Sequence, residues 1–419
     1  MDHHSFTTLV NGTDNFFLRR AVERIRDGLF DPLGVQWLTS GEEKLNQVFD
    51  QGVTRLESGR PCHVCICGAY GQGKSHSLAF LKQRALSDNF VVSSINLDPR
   101  QTPFHDFKTV YQALMGAMTF PDGQSRFTDV WKPFVLHWLN QPENRDSTLL
   151  DIIPAEMPHR FRAILAAMAL TNMDLPPHKR KLKKHARFKP REFPWILKNA
   201  LMGKDIPAHR LKAVFHYRQV PFYKDHSLVC KDPGQYLAAV KGLARLIRTM
   251  GFRGWMVLFD EGESIGQARI TSRSKSYEHL HDIFCPDTFS PGFFPVFAFT
   301  HDFFTLVADE PYDRTRVPRR RKNSRTAPEP IPCFARNYHK AWQQHLNFHM
   351  LQDLSDRDWQ ELMRKLMVLH GRAYGWAPDS AALEKEAARM LYRHGRAESR
   401  MKLRLLVNQL DLEQQKLHS

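Results

Sequence analysis

Residues Gly68 to Ser75 read GAYGQGKS and follow directly on the apolar run His63–Cys67. The stretch fits G-x-x-x-x-G-K-[ST] at every fixed position, the pattern of a loop that cradles phosphates. Its chemistry demands these residue types. Gly68 and Gly73 permit backbone angles and close approaches that a side chain would block. The N–H groups of the intervening Ala69, Tyr70, Gly71 and Gln72 can then point inward, at the N-terminus of the helix expected over Ser77–Leu86, and form an anion nest. Lys74 is placed to reach the β- and γ-phosphates, and Ser75 to hold Mg²⁺. A strand, this loop and a helix in succession predict a nucleotide-binding core.

The chain has 419 residues, enough for two or three domains with a real core. No apolar run approaches the roughly 18 residues that span a bilayer, and the N-terminus lacks the basic-then-apolar layout of a secretory signal. A cytoplasmic protein without membrane partners is expected. Cys62, Cys65 and Cys67 cluster around His63, but no second ligand pair follows at zinc spacing. Cysteines buried in a core strand are the expected reading.

The net charge of +16 is concentrated in two places. Pro176–Arg191 carries eight Lys/Arg and no acid; Arg314–Arg325 carries seven and no acid. Such runs are an electrostatic footprint for a polyanion, the alternative being solvated loops without a partner. Lys179, Arg180, Lys181, Lys183, Lys184, Arg187, Arg319, Arg320, Arg321 and Lys322 are the candidate nucleic-acid contacts. Aromatic residues are sparse there, with Phe188 and Phe193 nearby, so tracking of the phosphate backbone is expected over base stacking.

Hydrophobic periodicity predicts helices around Phe16–Gly28 and from Ser40 to Ser58, the second opened by a capping-box-like Ser40-Gly-Glu-Glu43. Strands are expected at His63–Cys67, Phe90–Leu97, Trp255–Phe259, Phe293–Phe299 and Leu346–Leu351, with a helix near Pro233–Met250 and a wholly helical tail. The alternation indicates a mostly parallel sheet. The predicted fold is therefore an α/β phosphate-loop NTPase core with a parallel sheet, a helical insertion and a C-terminal helical lid. The expected boundaries are an N-terminal helical segment over 1–60, the core over 61–345 with a basic insertion at about 103–235, and the lid over 346–419.

Hydrolysis needs acids as well as a loop. Trp255–Phe259 is an apolar strand that runs into Asp260 and Glu261. Its end aims Asp260 at the Mg²⁺ shell, and Glu261 is placed to orient and deprotonate a water. Glu263 adds a third acid, readable also as a helix-start charge. Thr300, after the next strand, is either a γ-phosphate sensor or a strand-end cap. Arg269 and Arg273 are candidates for a finger reaching a neighbour's nucleotide, though an arginine alone is more often a surface cation. Arg400 and Arg404 share a helix face in the tail, where one can close the lid on the phosphates.

GAYGQGKSH, FVVSSINLDP, TVYQALM, RGWMVLFDEGESI with SRSKSYEHL, FPVFAFTHDFF and ESRMKLRLLVNQLD occur in that order. Together, from about Arg19 to Asp411, they resemble the BREX-system ATP-binding proteins (the BrxC/BrxD type) of bacterial phage-defence islands. That is a branch of the AAA+ class related to origin-recognition and helicase-loader ATPases. The resemblance implies ATP and Mg²⁺ as ligands, Lys74 and Ser75 on phosphate and metal, and Asp260 and Glu261 in hydrolysis. It also implies His76 as part of the loop motif, Thr300 as sensor, Arg273 as a finger-like residue and Arg400 as the lid arginine. Ala69 stands where the family usually has an acid, and Ser399 precedes Arg400 where a proline is usual.

Two functions are compatible with these features. One is an ATP hydrolase driving a DNA-associated switch or loading step in anti-phage defence, as a homo-oligomer beside a helicase, nuclease or other defence-island protein. The other is a nucleotide-binding signalling or scaffold ATPase whose basic loops dock on acidic protein surfaces without touching DNA.

Overall fold

Strands buried on both faces read as continuous apolar runs, whereas half-exposed strands alternate. Four runs here are of the first kind, and all four are strands. The computed structural model describes residues 3–29, 31–39, 41–144, 146–169, 190–220, 223–224, 226–308, 313, 346–394 and 398–418. In it β1 (Val64–Cys67), β2 (Phe90–Asn96), β3 (Gly254–Asp260), β4 (Phe293–Phe299) and β5 (Phe348–Met350) form one sheet in the order β2-β3-β4-β1-β5. Every pairing is parallel. Ligands of such sheets bind beyond the carboxyl ends of the strands, which here are the ends of β1, β3 and β4.

The sheet's two faces carry separate cores. Val64, Ile66, Phe90, Met256, Leu258, Phe294 and Val296 point to the face covered by α4 (Glu42–Glu57) and α5 (Lys74–Ser87). Cys65, Cys67, Val91, Trp255, Val257, Phe259 and Phe297 point to the other. That face is covered by α6 (Phe107–Gly116), α12 (Gly234–Thr249) and α13 (Ile270–Phe284). The cysteines are thus core residues. Burial pushes the Cys62 and Cys67 thiols up to about 12, so they stay protonated and apolar. Among the described residues no group of His, Cys, Asp or Glu is arranged to hold a metal.

Gly52 shows how closely α4 sits on the sheet, because a β-carbon there would overlap the Phe294 ring. We expect Gly52→Ala to destabilise the chain by about 1–3 kcal/mol through overpacking, despite alanine's better helix propensity. A urea melt reads this; unchanged or raised stability would contradict it.

The region expected as an insertion, 103–235, divides in two. Helix α6 lies directly on β2 and belongs to the layered core. Beyond it come α7 (Phe127–Leu139), α8 (Leu149–Ile152), α9 (His159–Ala169), α10 (Phe193–Leu201) and α11 (Ala208–Tyr217). Their apolar faces extend the same core. Tyr111 on α6 ties the parts together, its hydroxyl donating to the Leu201 carbonyl at 2.6 Å.

The chain ends pack differently from the expected boundaries. Helices α1 (His3–Asn11), α2 (Asn15–Arg26) and α3 (Pro32–Leu38) share one core with α15 (Asp356–Tyr374), α16 (Ser380–Arg393) and α17 (Ser399–His418). Phe6, Leu18, Val22 and Trp37 meet Trp359, Leu366, Val407 and Leu410 in it. Arg26 fixes the arrangement by donating to both Asp411 carboxylate oxygens, at 2.9 and 2.7 Å. The expected 1–60 segment therefore splits: α1–α3 join the tail, while α4 belongs to the sheet. Residues 346–350 also leave the expected lid, since β5 extends the sheet beside β1. Helix α14 (His301–Ala308) follows β4.

Local signals account for some helix ends. Ser355 and Asp358 form a capping box on α15, and Gly375, at φ 73°, stops it. The box expected at Ser40–Glu43 is not what starts α4: Gly41, at φ 71°, is the N-cap without a side-chain hydrogen bond, and Ser40 lies outside the described residues.

Candidate active site

The loop after β1 turns through two left-handed glycines, Gly71 at φ 78° and Gly73 at φ 96°. Side chains rarely adopt these angles. Gly73 is the N-cap of α5 and supplies no side-chain cap, so the first N–H groups of the helix open into the space above the loop. A β-carbon at Gly73 would meet nothing within 4 Å. An uncapped helix N-terminus facing a cavity is a ready anion site.

The loop is held from three sides. The Gly68 N–H donates to the Phe299 carbonyl at 3.2 Å, and the Leu351 N–H donates to the Cys67 carbonyl at 2.8 Å. Gln72 accepts from the Ala69 N–H at 2.5 Å and donates to the Asp353 carboxylate at 2.8 Å. Lys74, buried at the start of α5, folds its Nζ back onto the carbonyls of Gly68 at 3.3 Å and Ala69 at 3.2 Å. It also lies 3.6 Å from a Glu263 oxygen.

The acids come from the end of β3. Asp260 pairs with Asn96 of β2 in the sheet register, and its carboxylate accepts the Glu261 N–H at 2.9 Å. Glu261 is left-handed at φ 57°, a strained angle for a residue with a side chain. It starts the 3₁₀ turn Gly262–Gln267. Gly262 must be glycine, because a β-carbon there would overlap Phe299 and lie 2.8 Å from the Ala298 carbonyl. Burial first, then the charges of Asp260 and Glu263, raise the Glu261 carboxyl above the usual range, with Lys74 pulling the other way. Glu263 keeps one oxygen, Oε2, buried without a hydrogen-bond partner.

Lys74, Ser75, Asp260, Glu261 and Glu263 all line one cleft of about 500 Å³. Its opposite wall comes from the helical body: Ile25, Leu29, Leu38 and Leu403 give it apolar character, and Arg400 stands at its rim. The Arg400 guanidinium lies 5.9 Å from the centre of the exposed Tyr70 ring. Glu398, two residues before it, packs on the loop so tightly that a β-carbon at Gly71 would lie 2.6 Å from its carboxylate.

His76 also lines the cleft and connects its two sides. Burial pushes its imidazole down to about 4, so the ring is neutral at physiological pH. Its Nε2 is 2.8 Å from the Thr39 hydroxyl, which itself donates to the Val35 carbonyl at 2.5 Å. The ring therefore donates to Thr39 and ties α5 to α3.

Two expected site residues are not in the cleft. Thr300 is not among its lining residues; its carbonyl accepts the Phe303 N–H at 3.3 Å as α14 begins. Arg273 points away from it. Its Nε and Nη2 each donate to the fully buried Asp313 carboxylate at 2.6 Å, and Nη1 donates to the carbonyls of Ala268 at 2.8 Å and Gly266 at 3.3 Å. So held, it is a clamp on the turn behind the acids and not a free finger. Arg269 is exposed at the start of α13. The ten candidate nucleic-acid residues, from Lys179 to Arg187 and Arg319 to Lys322, lie outside the described residues. Sequence reasoning missed Gln72–Asp353, Thr39 and Glu398, none of which has a local pattern to announce it.

No curated protein matches the chain. The model of one family, described as BREX system ATP-binding protein BrxC/D, matches residues 18–145 and 231–311. The first stretch carries the phosphate loop and the second carries Asp260, Glu261, Glu263, Arg273 and Thr300. Residues 146–230, the second basic stretch and the tail with Arg400 fall outside it, a narrower likeness than the expected Arg19–Asp411. With the phosphate loop and the acids that face it both inside the matched stretches, the chain belongs to the BREX system ATP-binding protein BrxC/D family.

Proposed function

We propose that the cleft binds ATP with Mg²⁺ and hydrolyses the nucleotide, driving a DNA-associated switch or loading step in anti-phage defence. The observation that carries this reading is the convergence of Lys74, Ser75, Asp260, Glu261 and Glu263 on one cleft whose far wall is a separate helical body.

The residues fit such a ligand. The uncapped start of α5 and the left-handed loop suit phosphates, and the apolar wall suits a base. Lys74, now resting on two carbonyls and near Glu263, has an ammonium to turn toward the β- and γ-phosphates. Ser75 and Asp260 would hold Mg²⁺, which when bound neutralises charge on the phosphate oxygens. Glu261 takes the proton of the attacking water, and Arg400 brings a positive charge from the helical wall. Closing the cleft moves the helical body relative to the sheet, which gives the hydrolytic cycle a mechanical output.

DNA is the proposed partner of the two basic segments, through phosphate contacts that weaken with salt. A helicase, a nuclease or another defence-island protein, and further copies of this chain, complete the proposed assembly. Exposed Arg269 is the better-placed finger if copies share a site. The test is hydrolysis by wild type and Lys74→Ala, with and without duplex and single-stranded DNA, at two salt concentrations. Lys74-dependent turnover stimulated by DNA at low salt is expected. Turnover indifferent to every nucleic acid would favour docking on acidic proteins instead.

A further inference from the structure

The sheet and the helical body keep separate cores, and among the described residues the chain crosses between them at two places. The first follows α3: Leu38 is buried in the helical body, and Phe49 of α4 is buried under the sheet. The second lies between β5 and α15. Leu351 packs against the sheet core and Leu354 against the core of the helical body. Residues 351–355 belong to no helix or strand. Short connections of this kind are where a rotation of one body against another is absorbed.

Each crossing is hydrogen-bonded to the phosphate loop or to the turn directly behind it. Gln72, inside the loop, donates to the Asp353 carboxylate at 2.8 Å while its oxygen accepts the Ala69 N–H. His76, the third residue of α5, lies 2.8 Å from the hydroxyl of Thr39, which follows α3 directly. That hydroxyl spends its hydrogen on the Val35 carbonyl, so the imidazole Nε2 is the donor. Lys44, in the first turn of α4, donates to the Gln352 oxygen at 2.8 Å and joins one crossing to the other. Cradling phosphate requires none of these bonds: the loop pattern leaves position 72 free and ends at Ser75.

We infer that Gln72 and His76 are positioning residues that couple occupation of the phosphate loop to the angle between the helical body and the sheet, one acting on each crossing. The inference rests on the ATP reading above and deepens it. A phosphate competes for the loop's N–H groups, and the Ala69 N–H is one that Gln72 holds. A shift of the loop or of the start of α5 therefore pulls on both crossings at once. Two attachments define a rotation where one would leave the body free to swivel. Arg400 and the apolar wall belong to the helical body, so this angle decides whether they reach the nucleotide. A ligand shifts such an equilibrium only through contacts that differ between the two states. The two hydrogen bonds carry that difference from the loop to the body.

The test uses the full chain with Mg²⁺ and the non-hydrolysed analogue AMPPNP. Thr39→Val and Asp353→Ala cut the two bonds from the far side, leaving the loop's N–H groups, Lys74 and Ser75 as they are. In wild type, AMPPNP should slow amide exchange in the loop and also in α3 and α15. In the double variant the loop should stay protected, and the protection of α3 and α15 should be lost. ATP hydrolysis should lose about tenfold in kcat, with KM within about threefold. His76→Gln keeps a donor and should retain most of the rate, whereas His76→Phe should behave like Thr39→Val. A purely structural role would lower urea stability and leave the nucleotide-induced exchange pattern unchanged. Wild-type protection of α3 and α15 in the double variant, or equal rates in His76→Gln and His76→Phe, would overturn the coupling while leaving ATP binding in place. A wild-type chain whose loop AMPPNP does not protect would overturn both.

Discussion

Glu261→Gln is expected to leave ATP binding within about threefold of wild type and to slow hydrolysis by about 10²-fold or more. The amide keeps the shape of the side chain at its left-handed position but cannot accept the proton of the attacking water. The environment of Glu261 also sets a pH dependence. Burial and the neighbouring Asp260 and Glu263 charges hold its pKa above the usual carboxylate range. Only the deprotonated form is a base, so hydrolysis should rise with pH through that elevated pKa. Glu263→Gln removes one of the raising charges and should move this limb to lower pH. The sign for stability is opposite: a raised carboxyl binds its proton more tightly folded than unfolded, so its contribution is lost as pH rises through the folded pKa. Single-turnover rates across pH, with nucleotide binding measured separately, check both statements. Retention of more than about a tenth of the wild-type rate in Glu261→Gln would remove this residue from the proposed role.

How much was legible in the sequence follows from how far apart the interacting residues lie. The phosphate loop, the strand before it and the acids after β3 are local patterns, and each is where its pattern puts it. The buried strands were readable because a sheet covered on both faces needs no alternation. The helical body was not readable as one unit, because Arg26 and Asp411 are 385 residues apart. Two amphipathic ends predict two apolar stripes, and nothing in either stripe names its partner. The cleft's far wall, with Leu29 and Leu403 from opposite ends of the chain, was hidden for the same reason. Glycine gave a partial signal: Gly262 directly after Asp260-Glu261 marks a close approach to β4, legible as a constraint but not as a contact.

Arg273 is the sharpest case: taken alone it reads more often as a surface cation, and the family resemblance implies a finger. A finger must be exposed and free, and its loss should cost hydrolysis while leaving the unliganded fold untouched. The observed Arg273 is 9% exposed and spends its whole guanidinium on Asp313 and the carbonyls of Gly266 and Ala268. Tyr277 donates its hydroxyl to the same carboxylate at 2.5 Å. Arg273→Ala would leave the Asp313 carboxylate buried, with its bidentate partner gone. Breaking a buried pair in this way costs about 3–5 kcal/mol, and lysine cannot restore the two-point geometry. We therefore expect Arg273→Ala and Arg273→Lys both to lower the stability of the nucleotide-free chain in urea melts. Replacing both partners with apolar residues of similar volume should cost less than either single change, because no lone charge remains. Because Gly266 and Ala268 close the turn that follows Glu261 and Glu263, the surviving folded protein should lose kcat with little change in KM. A stable Arg273→Ala chain that loses only hydrolysis in assembled copies would return this residue to the role of finger. The clamp instead ties the turn behind the acids to Asp313 through the carbonyls of Gly266 and Ala268, and so supports Glu261 at its strained angle.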